Sequence, residues 1–252
     1  MAFYKYNTYN IYFEEMGTGF PTIFLHGNTA SSKMFHSILP LYQEKFSVIL
    51  IDFLGHGKSD RLKKFPADLW FDEAMQVIQL IKALKYQKVN LIGTSGGALV
   101  AINVALERPD LVNKIVADSF EGEYALTSFA KNIMEEREIS KKIPELQSFY
   151  EFNHGKDWNN IIDNDTYAIH EHYRSIKKFF HKDIGSLQTP ILMTGSREDD
   201  FMKDDFFENT YSSLLHKIVH GKTYIFSHGQ HPAIISNSVK FAELATNFLT
   251  EE

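Results

Sequence analysis

The chain has 252 residues, of which 44% are hydrophobic and 23% are charged, and this length fits one α/β domain better than two independent ones. The composition excludes a disordered chain, a collagen and a coiled coil, and the absence of cysteine excludes a disulfide scaffold, a zinc-thiolate site, an iron–sulfur cluster and a cysteine nucleophile. The formal net charge of -6 argues against nucleic acid and anionic membranes as partners, because proteins that bind either usually carry a basic patch.

Targeting and membrane-spanning patterns are the next classes to consider. Residues 1–7 lack the basic start and the apolar run of a signal peptide. The most apolar stretch, residues 98–106, has about half the length that a membrane-spanning helix needs. We therefore expect a cytoplasmic protein with no membrane partner.

The predicted strands begin at the amino terminus. Gly17 and Gly19 lie between aromatic-rich segments of the first twenty residues, a pattern that predicts an antiparallel strand pair at the edge of a sheet. Several later runs are apolar at consecutive positions, as in strands that are buried on both faces of a parallel sheet. These predicted strands cover residues 22–25, 48–51, 89–92, 114–117, 191–194 and 223–226.

Predicted helices alternate with these strands. Residues 70–84 repeat apolar side chains with the 3.6-residue period of an amphipathic helix. A second such repeat near the carboxyl end includes Val239, Ala242 and Leu249. The alternation indicates a doubly wound, mostly parallel sheet with helices on both faces.

One segment interrupts the alternation. Residues 119–186 contain charged helical stretches and eleven aromatic residues, but no pattern of a buried strand. We interpret this segment as a helical cap that is inserted into a core formed by residues 1–118 and 187–252. Its aromatic side chains are expected to roof a pocket that suits a small or medium apolar group.

The most informative motif is Gly-Thr-Ser-Gly-Gly at residues 93–97, which matches G-x-S-x-G between a predicted strand and a predicted helix. A serine nucleophile needs its hydroxyl exposed at the carboxyl edge of the sheet, and this requires a tight, strained turn. Side chains at Gly93 and Gly97 would collide in such a turn. The motif therefore predicts Ser95 as a nucleophile.

Three segments of the chain resemble motifs of the α/β-hydrolase superfamily, and they occur in the same order as in that superfamily. Phe-Leu-His-Gly-Asn at residues 24–28 resembles its oxyanion segment, and residues 52–60 resemble its D-x-x-G-x-G-x-S loop. Residues 91–109 resemble its nucleophile turn and the helix that follows. The resemblance covers nearly the whole chain. It implies the α/β-hydrolase fold with a helical cap, in a branch of serine esterases and carbon–carbon hydrolases that use neither a cofactor nor a metal.

The same resemblance points to the partners of the serine. A general base is expected in the loop before the final helix, where position favours His231 over His228. The acid that orients this base is expected after the penultimate predicted strand. There we prefer Asp199, while Glu198 and Asp200 remain open alternatives. The chain order of serine, acid and histidine agrees with this superfamily.

The oxyanion hole, by resemblance, consists of the backbone amides of Asn28 and Gly96. A main-chain role leaves the Asn28 side chain weakly constrained. We expect a cofactor-independent hydrolase in which Ser95 forms an acyl-enzyme with a small or medium carboxylic ester. Alternative chemistries are carbon–carbon bond hydrolysis and the action of a lactonase, thioesterase or perhydrolase. The alternative from a different class is a small-ligand receptor or signalling protein that retains the triad.

Overall fold

The computed structural model describes residues 2–202 and 205–251, and within them eight strands form a single sheet. The strands are β1 (Ala2–Tyr6), β2 (Tyr9–Met16), β3 (Phe20–Leu25), β4 (Phe46–Ile51), β5 (Val89–Thr94), β6 (Val112–Asp118), β7 (Ile191–Ser196) and β8 (Gly221–Phe226). Their order in the sheet is β1-β2-β4-β3-β5-β6-β7-β8. β2 is antiparallel to both β1 and β4, and all other neighbours are parallel. The predicted mostly parallel sheet and its antiparallel edge pair are confirmed, but the turn of this pair lies between Tyr6 and Tyr9, whereas Gly17 and Gly19 connect β2 to β3.

Helices cover both faces of the sheet. Side chains along each buried strand point alternately to opposite sides, so both faces are apolar and both need to be covered. In β3, Ile23 and Leu25 join one hydrophobic core, and Phe24 joins the other. The helices are α1 (Leu69–Ala83), α2 (Gly96–Glu107), α3 (Thr127–Ala130), α4 (Ile133–Ser140), α5 (Pro144–His154), α6 (Trp158–Ser175), α7 (Phe206–Leu215), α8 (Ala233–Ser236) and α9 (Ser238–Thr250). α1, α2 and α7 pack on the first face, and α8 and α9 pack on the second.

The final helix differs from its predicted pattern at one position. Val239 is 71% exposed, whereas the buried face of α9 is formed mainly by Phe241, Ala245 and Phe248. At 3.6 residues per turn, Val239 lies about 200° around the helix from Phe241. The prediction that Val239 faces the core is therefore wrong. Phe241 and Phe248, which lie outside the predicted repeat, contribute to the buried face of α9 instead.

Between β6 and β7 the chain forms α3 to α6, and residues 119–186 contain no strand apart from a single bridge between Tyr124 and Lys178. We call residues 119–186 the helical insertion. Its α5 and α6 contact loops at the carboxyl ends of the strands. The division into a core and a cap domain stays a prediction. No helix in the described ranges combines the length and apolarity that a membrane crossing requires.

The parallel strands bring the predicted site segments together. β3, β5, β6, β7 and β8 run in the same direction, so their carboxyl ends meet at one edge of the sheet. The loops that follow these strands carry the oxyanion segment, the serine turn, the start of the insertion, the acidic loop and the histidine loop. In open α/β sheets, ligands bind at this edge.

Candidate active site

Ser95 occupies a strained turn between β5 and α2. Its φ and ψ are 54° and -124°, a backbone conformation that costs a side-chain-bearing residue about 1–3 kcal/mol. The Ser95 amide donates a 2.7 Å hydrogen bond to the carbonyl oxygen of Asp118, which holds the turn against β6. A Cβ on Gly93 would lie 2.1 Å from the Gly97 oxygen, and one on Gly97 would lie 2.1 Å from the Leu25 oxygen. The structure thus confirms that both positions require glycine.

Two backbone amides lie beside this serine. A Cβ on Gly27 would lie 3.0 Å from Ser95 Cβ, so the loop after β3 contacts the turn directly. Asn28 follows Gly27, and Gly96 is the first residue of α2. Within residues 2–202 and 205–251, the amides of Asn28 and Gly96 donate no hydrogen bond to protein. The predicted oxyanion hole requires amides with no acceptor in the protein, and its assignment to these two amides stays a prediction.

The Asn28 side chain is held at both ends, contrary to the expectation that it is weakly constrained. The indole Nε1 of Trp70 donates to Asn28 Oδ1 over 3.1 Å. Asn28 Nδ2 donates to the two carboxylate oxygens of Asp165, at 3.1 and 3.2 Å. The sequence does not reveal these contacts, because Asp165 is 137 positions away in the helical insertion.

The three adjacent acids after β7 have three different partners. Asp199 is buried and accepts a 2.8 Å hydrogen bond from His231 Nδ1. Glu198 is exposed and lies 2.9 Å from Nδ1 of His228. Asp200 accepts a hydrogen bond from the backbone amide of His231, over 3.1 Å. Among the predicted acids, the structure therefore brings Asp199 to the imidazole of the predicted base.

Aromatic side chains pack beside the predicted base. The ring of Phe201 meets the His231 imidazole edge to face, with centroids 5.0 Å apart, and Phe129 of α3 packs against Phe201 at 6.4 Å. Ser95 Oγ makes no hydrogen bond to any described residue, including His231. Such bonds are often absent before substrate binds. The catalytic roles of Ser95, His231 and Asp199 stay predictions.

Asp118 is a functional candidate that the sequence analysis missed. It ends β6, is fully buried, and accepts hydrogen bonds from Thr94 Oγ1 (2.9 Å), Thr194 Oγ1 (2.8 Å) and the Ile234 amide (3.0 Å). One carboxylate thereby joins the strand before Ser95 to α8, the helix that follows His231. An acid directly after a buried strand run was the signal available in the sequence.

The charge of Asp118 should make stability depend on pH. Burial raises the pKa of this carboxyl to about 6, so the folded chain holds a proton that the unfolded chain releases near pH 4. The unfolding free energy then falls as pH rises from about 4 to 6, by about 2–3 kcal/mol. Asparagine does not titrate, so the unfolding free energy of Asp118→Asn should lack this fall. The difference in unfolding free energy, variant minus wild type, should therefore increase by about 2–3 kcal/mol between about pH 4 and pH 7, as measured by urea unfolding. If this difference is the same at pH 4 and pH 7, the pKa of Asp118 is not raised in the folded chain.

A cavity lies away from these segments. It has a volume of about 430 Å³ and opens between the β1–β2 hairpin and α6, where Tyr6, Leu54, Phe65 and Tyr167 line it. None of its lining residues belongs to the serine, acid or histidine segments. No cluster of three metal-ligating side chains occurs in the parts of the chain that the structure describes.

Comparison with known proteins gives a consistent result. The model of the alpha/beta hydrolase fold family matches residues 21–178. Human serine hydrolase BPHL is 26% identical over 223 residues, which cover 83% of this chain and 71% of that protein. The 2-hydroxymuconate semialdehyde hydrolase of Pseudomonas sp. strain CF600 is 23% identical over 265 aligned positions, covering 94% of this chain and 89% of that enzyme. The structure of the esterase EaEST from Exiguobacterium antarcticum matches with a TM-score of 0.76 and 18% identity over 96% of both chains.

Proposed function

This chain belongs to the α/β-hydrolase fold family, and we propose that it is a serine hydrolase that cleaves small or medium carboxylic esters through an acyl-enzyme. The main support is the 2.8 Å contact between His231 Nδ1 and the buried carboxylate of Asp199. A carboxylate at this nitrogen keeps the proton on Nδ1, which leaves Nε2 free to accept a proton from a hydroxyl.

In the first half of the proposed reaction, Ser95 Oγ attacks the ester carbonyl carbon and its proton passes to His231 Nε2. The carbonyl oxygen becomes an oxyanion, which accepts hydrogen bonds from the amides of Asn28 and Gly96. The ester C–O bond then breaks, and His231 returns the proton to the departing alcohol. Asp199 stabilises the imidazolium that exists between these two steps.

In the second half, water replaces the alcohol. His231 removes a proton from the water as its oxygen attacks the acyl carbon, and the same amides hold the second oxyanion. The bond to Ser95 Oγ breaks, and His231 returns the proton to the serine. The products are a carboxylic acid and the free enzyme, so the cycle consumes one ester and one water.

The aromatic residues near His231 support an apolar small-molecule substrate. Phe201 packs on the imidazole, and Phe129 of the helical insertion packs on Phe201. Apolar walls with few polar groups are typical of pockets for small molecules. A short acyl chain or a small alcohol would gain from contact with these rings.

Carbon–carbon bond hydrolysis is the second candidate. A relative named 2-hydroxymuconate semialdehyde hydrolase aligns with 94% of this chain. Small or medium carboxylic esters and vinylogous diketones can be compared directly as substrates of the purified protein. The larger kcat/KM identifies the chemistry for which the site is built.

The proposal is tested with a fluorophosphonate probe and a panel of substrates. We expect the probe to label one residue, Ser95, as located by peptide mass spectrometry. We also expect turnover of p-nitrophenyl acetate and butyrate to exceed that of p-nitrophenyl octanoate, a thioester, a lactone and a vinylogous diketone. Labelling without turnover of any of these compounds would contradict the proposal and favour a ligand receptor. Preference for the diketone would favour carbon–carbon hydrolysis.

A further inference from the structure

Side chains of the helical insertion hold the loop that carries the Asn28 amide. Thr29 has a φ of 62°, a left-handed conformation that a threonine adopts only when its surroundings impose it. Its amide donates to Asp165 Oδ2 over 2.9 Å, and its carbonyl oxygen lies 2.9 Å from His154 Nε2. Because the Gly57 amide donates to His154 Nδ1, the proton of this imidazole is on Nε2 and points to Thr29. Both peptide groups of the strained residue are therefore fixed from the insertion.

Asp165 is the centre of these contacts. Its carboxylate is fully buried in α6 and also accepts from Asn28 Nδ2 and from His56 Nε2, the latter over 3.0 Å. Burial raises the pKa of this carboxyl, but the hydrogen bond and charge of His56 and the Thr29 amide outweigh burial and lower it overall. Asp165 is thus a carboxylate with its hydrogen bonds supplied, not a protonated acid.

The geometry around Asn28 ties this carboxylate to the reaction. With Asn28 Oδ1 fixed by Trp70 and Asn28 Nδ2 fixed by Asp165, the side chain cannot rotate without breaking a hydrogen bond. A Cβ on Gly96 would lie 2.3 Å from Asn28 Oδ1, so the held side chain packs against the residue that supplies the second amide. Asp165 also fixes the peptide that follows Asn28, through the Thr29 amide.

We propose that Asp165 is a positioning residue that aims the Asn28 amide at the oxyanion. The inference rests on the proposed function, because it needs an oxyanion above Ser95. It assigns the helical insertion a part in the chemical step, since the oxyanion loop is assembled by contacts from α6 and, through His154, from α5. The carboxylate touches no reacting atom and acts only through the loop.

The first experiment compares Asp165→Asn with Asp163→Asn. Asp163 lies on the same helix but is exposed, and it forms an ion pair with Lys141. We expect Asp165→Asn to lower kcat on p-nitrophenyl butyrate by about 10- to 100-fold with KM unchanged, less than the loss of a whole donor. Asp163→Asn should match wild type.

Inhibitor binding separates a positioning role from a merely structural one. Phenylboronic acid forms a tetrahedral adduct with a serine and places a hydroxyl in the oxyanion hole, whereas butyrate is the planar acid product of the assayed ester and forms no such adduct. In Asp165→Asn, the inhibition constant for phenylboronic acid should rise by the same factor as kcat falls, while that for butyrate stays constant. If KM rises alone, if the boronate constant is unchanged, or if kcat rises, the inference is overturned.

A second variant guards against failure of Asp165→Asn to fold. Asn28→Ala removes the held side chain and leaves Asp165 bonded to Thr29 and His56. It should show the same split between kcat and KM, and its loss should not add to that of Asp165→Asn in the double variant. Fully additive losses contradict a shared route. Should wild type turn over no substrate, the proposed function fails; an active wild type with wild-type kcat in both variants defeats this inference alone.

Discussion

Replacement of Ser95 by alanine is expected to lower kcat on p-nitrophenyl butyrate by about 10⁶-fold, the scale of loss for a serine nucleophile. Without Oγ no acyl-enzyme can form, and only binding and the two amides remain to assist attack by water. Initial rates with substrate in excess measure the loss, after purification from a host that lacks the wild-type chain. The fluorophosphonate label should disappear at the same time.

Stability should not explain that loss. Ser95 Oγ makes no hydrogen bond to a described residue, and alanine carries the same Cβ in the same strained turn. We therefore expect the unfolding free energy of Ser95→Ala to stay within about 0.5 kcal/mol of wild type. Ser212→Ala, at an exposed position of α7, serves as a matched control that keeps both turnover and label. Substantial ester hydrolysis by Ser95→Ala would contradict the proposed mechanism.

The serine turn could be predicted because the residues that it requires lie within two positions of the serine in the sequence. Gly93 and Gly97 lie two residues on either side of Ser95, and both are required by contacts within the strand–turn–helix unit and the neighbouring β3. The alternation of buried strands and amphipathic helices similarly determines the sheet, since each pattern depends on neighbouring residues. The hydrophobic period therefore predicts the strands and helices, although it places Val239 wrongly in the core.

The acidic residues could not be assigned with the same ease. Glu198, Asp199 and Asp200 are consecutive in a loop, and which one faces His231 depends on how β7 and the histidine loop meet. Asp165 had a weak signal that is clear only in retrospect. It interrupts the apolar repeat of Ile161, Ile162, Ala168 and Ile169 on the buried face of α6. A single acid in such a repeat requires partners, but its partners lie in another part of the chain.

Asp199→Asn is expected to lower kcat by about 10⁴-fold, because an asparagine would hold the imidazole in the wrong tautomer. Asp199 Oδ1 accepts a 2.9 Å hydrogen bond from the Phe201 amide, and Oδ2 accepts from His231 Nδ1. In the variant the amide oxygen keeps the bond to Phe201, so the NH₂ group faces His231. Nδ1 must then accept, the proton moves to Nε2, and Nε2 can no longer take the proton of Ser95.

Two neighbouring substitutions turn this expectation into a test of which acid acts. Glu198→Gln changes an exposed residue whose partner is His228, and Asp200→Asn retains an oxygen that can accept from the His231 amide. Both should keep kcat within about threefold of wild type, as is usual for exposed positions away from the reacting groups. A large loss in Glu198→Gln with normal turnover in Asp199→Asn would move the acid to the other position. Each of the three variants differs from wild type by one isosteric change in the same loop, so side-chain size is matched among them. Only the variant at position 199 changes a side chain that contacts the His231 imidazole.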